Sequence, residues 1–248
     1  MSKFEDFAKL HVAGDPLVLF NVWDAGSAAA VAESGAKAIA TGSASVAMAN
    51  GFGDGQKVPM DFATTNAARI VDAVDLPVTV DFEGGYAVEP EAAGRNVARL
   101  IGTGAIGCNF EDQVVGTDQL YSIQDQAARI AAVRGAVGSD FFINARTDIF
   151  LKAPGEAHDS AMVDTAIERA RAYADAGASG FFVPMLGDLK LLERMCAQSP
   201  LPVNFMTFPE CPSNAEVAAV GVARISHGPF PHMALMAKLT EMAREAIG

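Results

Sequence analysis

The sequence predicts an α/β protein with a (β/α)8 barrel of the TIM type. Three observations support this prediction: short apolar runs alternate with amphipathic segments along the chain, one type of helix-to-strand junction recurs, and the 248 residues match the usual length of about 250 for this fold. A doubly wound open sheet is the structural alternative. Its GxGxxG fingerprint is missing after the first predicted strand, where the sequence reads FNVWDAGSA.

Eight short apolar runs are the predicted strands. Each is β-rich or continuously apolar and is bounded by turn residues, which is typical of parallel strands buried on both faces. The runs are Leu17–Val22, Lys37–Thr41, Val78–Phe82, Ile106–Phe110, Phe141–Ala145, Gly180–Pro184, Pro202–Phe205 and Val222–Ile225.

The segments between these runs have helical patterns. The clearest are Pro90–Ile101, Ile123–Val137, Ala157–Ala176 and Leu189–Ala197. At four junctions a helix ends in a glycine, followed by a small residue and then a strand. We expect these glycines to adopt the left-handed conformation that ends a helix; they are Gly35, Gly104, Gly177 and Gly221.

No linker rich in Pro, Ser or charge divides the chain, so residues 1–248 are predicted to form one domain. Residues 229–248 are predicted to contain a C-terminal helix, within which His232–Ile247 is amphipathic. The pattern alone fits a helix that covers its own barrel as well as one that packs on another subunit.

The composition excludes several classes of function. The chain has 18 Lys plus Arg against 30 Asp plus Glu, a formal net charge of −12, which disfavours binding to nucleic acids or to anionic membranes. No run approaches the ~18 apolar residues of a membrane span, and the first residues lack the pattern of a secretory signal. Three widely spaced cysteines without metal-binding spacing indicate reduced thiols, so we expect a cytoplasmic protein.

Candidate site residues follow from the predicted fold, because barrel enzymes place their chemistry at the carboxyl ends of the strands and in the loops that follow. The residues at these positions are Asn21, Trp23, Asp24, Gly42, Ser43, Ala44, Ser45, Asp54, Asp81, Glu83, Tyr86, Glu111, Asp112, Arg146, Asp148, Asn204, Ser226 and His227.

Four of these carboxylates, Asp81, Glu83, Glu111 and Asp112, follow adjacent strands. Like charges that converge at one end of a barrel repel unless a cation neutralises them. Oxygen ligands without His or Cys favour Mg²⁺ or Mn²⁺. The simpler alternative is that Asp81 and Glu111 cap the following helix or pair with Arg146.

Two further features predict the binding of an anion. Arg146 can grip a carboxylate or a phosphonate through a two-pronged contact. The turn at Gly42, Ser43 and Ala44 offers backbone N–H donors for an oxyanion. By contrast, Asp54 alone is more typical of an ordinary turn residue, and His227 lacks an evident paired base.

An ordered set of segments resembles the isocitrate lyase/phosphoenolpyruvate mutase superfamily over nearly the whole chain. These segments are FNVWDAGSAAAVAESGAKAIATGSASVA for the first two strands, VDFEGGYA for a DxDxGYG metal loop, CNFEDQV for an LEDQ segment, and RIAAVRGAV followed by FFINARTDIFL. The resemblance implies a (β/α)8 barrel whose last helix is exchanged between subunits of a homodimer or homotetramer. It also implies a small anionic carboxylate or phosphonate substrate.

The resemblance implies a role for each matching residue. Asp81 would be the principal Mg²⁺ ligand, with Glu83 and Glu111 completing the metal site. Arg146 would grip the substrate and act with Asp54 in catalysis. The other implied substrate-binding residues are Trp23, Gly42, Ser43, Ala44 and Asn204.

The loop after Glu111 departs from the family pattern. It reads EDQVVGTDQLYS, is short, and lacks the Cys of the C–C lyases and the Lys and Asn of the phosphonate branch.

Three hypotheses for the function are compatible with the sequence. The first is a Mg²⁺-dependent lyase that cleaves a C–C bond of a small 2-oxo or 2-hydroxy carboxylic acid through a pyruvate-like enolate. The second is a mutase or hydrolase acting on phosphoenolpyruvate or phosphonopyruvate, and the third is a catalytically silent barrel that binds a dicarboxylate.

Overall fold

The computed structural model describes residues 2–248 and contains eight parallel strands with helices between them, which confirms the predicted (β/α)8 barrel. All eight strands overlap the predicted runs. They are β1 (Leu17–Leu19), β2 (Ile39–Ala40), β3 (Val78–Asp81), β4 (Gly107–Glu111), β5 (Phe142–Arg146), β6 (Gly180–Phe182), β7 (Val203–Met206) and β8 (Arg224–Ser226).

The strand order closes the sheet into a barrel. The strands pair in the order β1-β8-β7-β6-β5-β4-β3-β2, and every pair is parallel. The two ends of this order, β1 and β2, meet through an isolated parallel bridge between Val22 and Thr41. This bridge closes the barrel and excludes the open doubly wound sheet, and the regular part of β1 is shorter than the run predicted for it.

Helices connect the strands, and the predicted glycine junctions are confirmed. The helices are α1 (Lys3–Lys9), α2 (Ala25–Glu33), α3 (Ser43–Ala49), α4 (Met60–Asp72), α5 (Pro90–Ala98), α6 (Ile123–Val137), α7 (Ser160–Asp175), α8 (Leu189–Gln198), α9 (Asn214–Ala219) and α10 (Phe230–Ile247). Gly35, Gly104, Gly177 and Gly221 have φ values of 93°, 83°, 98° and 95°. No helix within residues 2–248 is long and apolar enough to span a lipid bilayer.

Side-chain alternation along the strands separates an apolar outer layer from a more polar interior. Outward-facing residues such as Phe110, Ile143 and Phe205 pack in the main core beneath the helices. At the amino end of the barrel, Phe7 of α1 closes the interior by packing against Phe142, with ring centroids 5.2 Å apart. The site described next therefore opens at the carboxyl end.

Candidate active site

A cavity of about 230 Å³ opens at the carboxyl ends of the strands, and we call it the reaction cavity. Its lining includes eight of the candidate site residues together with apolar residues from the later loops. The lining residues are Asn21, Gly42, Ser43, Ala44, Asp54, Asp81, Asn109, Arg146, Leu151, Phe182, Met185, Met206, Ser226, Gly228, Pro229 and Phe230.

Asp81 ends β3 and presents one carboxylate oxygen without a partner. Its Oδ2 accepts hydrogen bonds from the Ser43 amide at 3.0 Å and from the Ser43 hydroxyl at 2.7 Å. Its Oδ1 is buried and has no hydrogen-bond partner among the described residues. Buried polar atoms are normally paired, so this oxygen is a candidate ligand for a cation.

The contact with Asp81 changes what the turn at residues 42–44 can offer. The donors of Ser43, predicted to face an anion, are directed at Asp81. Ala44 lies in the first turn of α3, where an amide has no acceptor within its own helix. The amide of Ala44 is therefore the donor of this turn that is best placed to reach a ligand.

Arg146 is held rigidly by two carboxylates. Its Nη1 lies 3.2 Å from Oε2 of Glu111, whose Cα is its register partner on β4. Its Nε and Nη2 lie 2.5 and 3.1 Å from the two carboxylate oxygens of Asp148. The charges of Asp148 and Glu111 keep the pKa of Arg146 above its usual value despite burial. The guanidinium thus faces the cavity in a fixed orientation. Glu111 forms the ion pair with Arg146 that the sequence offered as the alternative to metal binding.

Glu83 lies beside the cavity rather than in its lining. It adopts a left-handed backbone conformation, with φ of 51°, and its Oε1 accepts a hydrogen bond from the Gln56 amide at 2.7 Å. Burial, together with the charges of Asp81 and Asp54, raises the pKa of Glu83 to about 7. The Tyr86 hydroxyl lies 3.5 Å from Oε2, and burial raises the pKa of Tyr86 as well.

The residues fit a divalent ion that is bound through few protein ligands. Within residues 2–248 no group of three or more His, Cys, Asp or Glu side chains is arranged to hold a metal ion. Asp81 nevertheless combines a hard oxygen donor, burial and the absence of a partner at Oδ1. Mg²⁺ suits such a site, because it commonly keeps several waters and takes only one or two protein carboxylates.

Asp112 does not belong to the acidic group at the cavity, which corrects the prediction that four carboxylates converge there. Adjacent strand residues point to opposite faces, so Asp112 points away from the barrel interior when Glu111 points into it. Its Oδ2 accepts hydrogen bonds from Arg169 at 3.0 Å and from the Tyr173 hydroxyl at 2.9 Å. Its Oδ1 accepts one from the Asp148 amide at 3.0 Å, which links it indirectly to Arg146.

Three other predicted site residues occupy different positions around the cavity. Asp54 is exposed at its rim, and partial withdrawal from solvent with the nearby charge of Asp81 raises the pKa of its carboxyl group. Trp23 is not in the lining and packs against His232, with ring centroids 4.8 Å apart. Asn204 is also outside the lining, and its amide group exchanges hydrogen bonds with Ser226 at 3.2 Å.

The loop that follows β4 folds as a tight hairpin. Gln113 and Leu120 form an isolated antiparallel bridge, and the Val114 amide donates to the Gln119 carbonyl at 2.9 Å. Lys152 ties the tip down by donating to the Thr117 carbonyl at 3.0 Å. The short length read from the sequence therefore corresponds to a compact structure.

Sequence reasoning missed the apolar part of the lining. Leu151, Phe182, Met185 and Phe230 line the reaction cavity but belong to no chemical motif. Apolar residues after predicted strands cannot be distinguished from core residues by type, so the sequence offered no signal for them.

A (β/α)8 barrel with an acidic residue and a fixed arginine facing a small cavity at its carboxyl end is the architecture of a barrel enzyme. The sequence matches the Phosphoenolpyruvate phosphomutase family over residues 7–247, and the chain belongs to this family. The resemblance to the isocitrate lyase/phosphoenolpyruvate mutase superfamily, whose named relatives include lyases and mutases, is thereby confirmed.

Two curated relatives illustrate the range of similarity. Uncharacterized protein Rv1998c of Mycobacterium tuberculosis is 34% identical over 238 residues, covering 96% of this chain and 87% of the relative. The 2-methylisocitrate lyase of Escherichia coli (strain K12) is 32% identical over 163 residues, covering 62% of this chain and 52% of the lyase.

Solved structures show the same fold. A protein of Burkholderia cenocepacia J2315, provisionally named a phosphonomutase, superimposes with a TM-score of 0.96 at 51% identity and 98% coverage of both chains. A phosphonopyruvate hydrolase in complex with oxalate and Mg²⁺ gives a TM-score of 0.86 at 18% identity, covering 98% of this chain and 87% of the hydrolase.

Proposed function

We propose that the protein is a Mg²⁺-dependent lyase that cleaves a C–C bond of a small 2-oxo or 2-hydroxy carboxylic acid through a pyruvate-like enolate. The observation that carries this proposal is the buried, unpartnered Oδ1 of Asp81, which lies in the same cavity as Arg146. Mn²⁺ could replace Mg²⁺, since both prefer oxygen ligands. The family membership and the named lyases support the reaction class.

The proposed metal site centres on Asp81, and Glu83 and Glu111 would hold water ligands of the ion. Burial, and to a smaller extent the charge of Asp81, raises the pKa of both glutamates. When bound, Mg²⁺ would supply positive charge where an enolate oxygen develops.

The chain's own residues would bind and orient the substrate. Arg146 would grip its carboxylate, and because Asp148 and Glu111 fix the guanidinium, little entropy is lost on binding. The Ala44 amide would donate to a second substrate oxygen. Asn204 would act through Ser226, which lines the cavity. Trp23 lies outside the lining and would support the site by packing against His232.

Asp54 is the proposed group for moving a proton. It lies at the cavity rim, and its raised pKa brings the neutral form closer to neutral pH. The hairpin after β4 contains no Cys, Lys or His, so it supplies none of the proton donors of the known branches.

C–P chemistry on phosphoenolpyruvate or phosphonopyruvate is the second candidate. The observation in its favour is the provisional phosphonomutase name of the 51% identical Burkholderia protein. The hairpin after β4 disfavours it, because the Lys and Asn that the resemblance leads us to expect in the phosphonate branch are missing from EDQVVGTDQLYS.

The experiment is a substrate screen with purified protein and Mg²⁺, covering 2-oxo acids, 2-hydroxy di- and tricarboxylates, and phosphonopyruvate. Release of pyruvate or glyoxylate supports the lyase, whereas release of phosphate from phosphonopyruvate alone supports C–P chemistry. Thermal stabilisation by oxalate with Mg²⁺, but no turnover of any compound, would leave only a silent dicarboxylate-binding barrel.

We also propose that the protein is cytoplasmic and that its single barrel domain exchanges α10 within a homodimer or homotetramer. In the isolated chain, α10 exposes Leu239 and Met242, each 55% exposed, and Phe20, which directly follows β1, is 48% exposed. Burying these two faces against each other would remove apolar surface from water. Light scattering should show a dimer or tetramer that Leu239→Glu dissociates; a monomeric wild-type protein would contradict the exchange.

A further inference from the structure

A second cavity of about 270 Å³ lies beside the reaction cavity, formed by the loops that follow β5, β6 and β7. The two cavities share Leu151 and Met185, which therefore form the wall between them. Leu151 is 41% exposed and Met185 is a flexible, unbranched side chain, so this wall can yield to a ligand. A substrate held by its carboxylate at Arg146 could extend into the second cavity.

The other walls of the second cavity are mostly apolar and are closely built. Phe150, Phe208 and Pro212 line it. The Phe208 ring packs directly on the backbone of Gly187, where an added Cβ would lie only 2.6 Å from Cζ of the ring. A glycine is thus required for Phe208 to hold its position in the wall.

Two of the polar residues that line the second cavity are carboxylates. Asp188 uses Oδ1 to accept the amides of Lys190 and Leu191 at the start of α8, and Glu210 is exposed at the rim. The Nε2–H of His158 donates to the Phe150 carbonyl at 2.9 Å and to the Ala153 carbonyl at 3.2 Å.

The positive charges of the two cavities are unequally distributed. Among residues 2–248, no Lys or Arg lines the second cavity, and Arg146 is the one such residue in the reaction cavity. A second carboxylate in the ligand would therefore meet no Lys or Arg there and would face the like charges of Asp188 and Glu210.

We propose that the second cavity is a subsite for an uncharged, apolar substituent of the substrate. This inference rests on the proposed function, since Asp81 and Arg146 must hold the 2-oxo or 2-hydroxy carboxylate end. It narrows the substrate class to 2-oxo or 2-hydroxy acids with an alkyl tail and excludes those whose tail carries a further carboxylate.

The test uses N-alkyl oxamates, which share one carboxylate–amide head group and differ only in the tail, and oxalate, which tests binding at the metal and Arg146 without a tail. Affinities for the Mg²⁺-loaded full-length protein are measured by calorimetry for oxalate, for N-methyl to N-butyl oxamate, and for oxalylglycine, whose tail is a carboxylate. The expected result is a gain of about fourfold in affinity for each methylene buried. Oxalylglycine should bind more weakly than N-propyl oxamate of similar length.

Two variants test whether the increase in affinity with tail length arises in the second cavity. Ala153 lines the second cavity but not the reaction cavity, so Ala153→Phe should fill it and reduce the ratio of N-butyl to N-methyl affinity to about one. Ile101→Phe is the matched control, because Ile101 is 48% exposed on a 3-10 turn that precedes β4 at the opposite end of the barrel. Taking a ratio cancels any general loss of binding in a variant.

Three results would overturn the subsite: equal affinity for all tail lengths, tightest binding of oxalylglycine, or a gradient that survives Ala153→Phe. If oxalate binds but shows no such gradient among its analogues, only the subsite is refuted. If oxalate itself fails to bind with Mg²⁺, the proposed function and the subsite both fall.

Discussion

Replacing Arg146 by lysine tests whether the guanidinium is the rigid anion clamp that the structure indicates. Arg146 makes three contacts with carboxylate oxygens, two to Asp148 and one to Glu111. A lysine ammonium is a point charge and cannot reproduce the planar fork. We expect Arg146→Lys to keep one of the three contacts and to lose two.

The magnitude follows from these two lost contacts. A hydrogen bond to a charged group contributes about 1.5–3 kcal/mol, so the loss amounts to about 3–6 kcal/mol of the free energy of unfolding. For a chain of this size, 1 kcal/mol corresponds to about 2–4 °C in Tm, so the melting temperature should fall by roughly 6–24 °C. The KM of any substrate with a carboxylate should rise in parallel.

Differential scanning calorimetry of the apo protein measures the change in Tm. The control is Arg99→Lys, because Arg99 makes its ion pair with Asp61 on the surface, where the two side chains are 42% and 85% exposed. An exposed pair of this kind contributes about 0–1 kcal/mol, so Tm should shift by only a few degrees. Equal shifts for the two variants would refute the clamp.

Two further predictions concern the neighbouring carboxylates. Asp112→Asn removes the charge that faces buried Arg169 and should lower the free energy of unfolding by about 3–5 kcal/mol, which chemical denaturation measures. Activity per folded molecule should persist in a turnover assay, because Asp112 does not line the reaction cavity. Folding raises the pKa of Glu83 from 4.5 to about 7, so the folded state favours the protonated carboxyl group. Without Mg²⁺, the free energy of unfolding should therefore decline as the pH rises from about 4.5 to 7. Glu83→Gln should flatten that decline in urea titrations across this range; an unchanged slope would show that Glu83 is not its source.

Much of the fold could be predicted because barrel formation leaves repeated local signals. Helix α6 has the predicted bounds, and the four junction glycines are left-handed because each must turn a helix into a strand without a Cβ clash. The ends of β1 and β2 were less predictable. Val22 and Thr41 look like strand residues by type, but a single bridge joins them, and pairing of this kind depends on tertiary closure.

Contacts in the site could be predicted where strand register brings two residues together. Contacts that depend on which hydrogen-bond partner a side chain has in the folded protein could not be predicted. Glu111 and Arg146 end adjacent strands, so their meeting follows from the fold. The contact of Ser43 with Asp81 joins residues that are 38 positions apart, and no sequence pattern shows which donor a carboxylate will select. Side chains alternate between the two faces of a strand, so Asp112 could have been expected to point away from Glu111. The prediction of four converging carboxylates grouped them by sequence position and did not apply this alternation.

Binding of Mg²⁺ to the wild-type protein and to Asp81→Asn tests the central claim most directly. Calorimetric titration with Mg²⁺ in the presence of oxalate should give saturable binding to the wild type. Asp81 carries the one buried, unpartnered carboxylate oxygen among residues 2–248, and its loss should weaken Mg²⁺ binding by more than about 100-fold. A residue that acts only by supporting another ligand typically changes metal affinity by roughly 10–100-fold. The surface variant Asp61→Asn should bind as the wild type does, and unchanged Mg²⁺ affinity in Asp81→Asn would contradict the account.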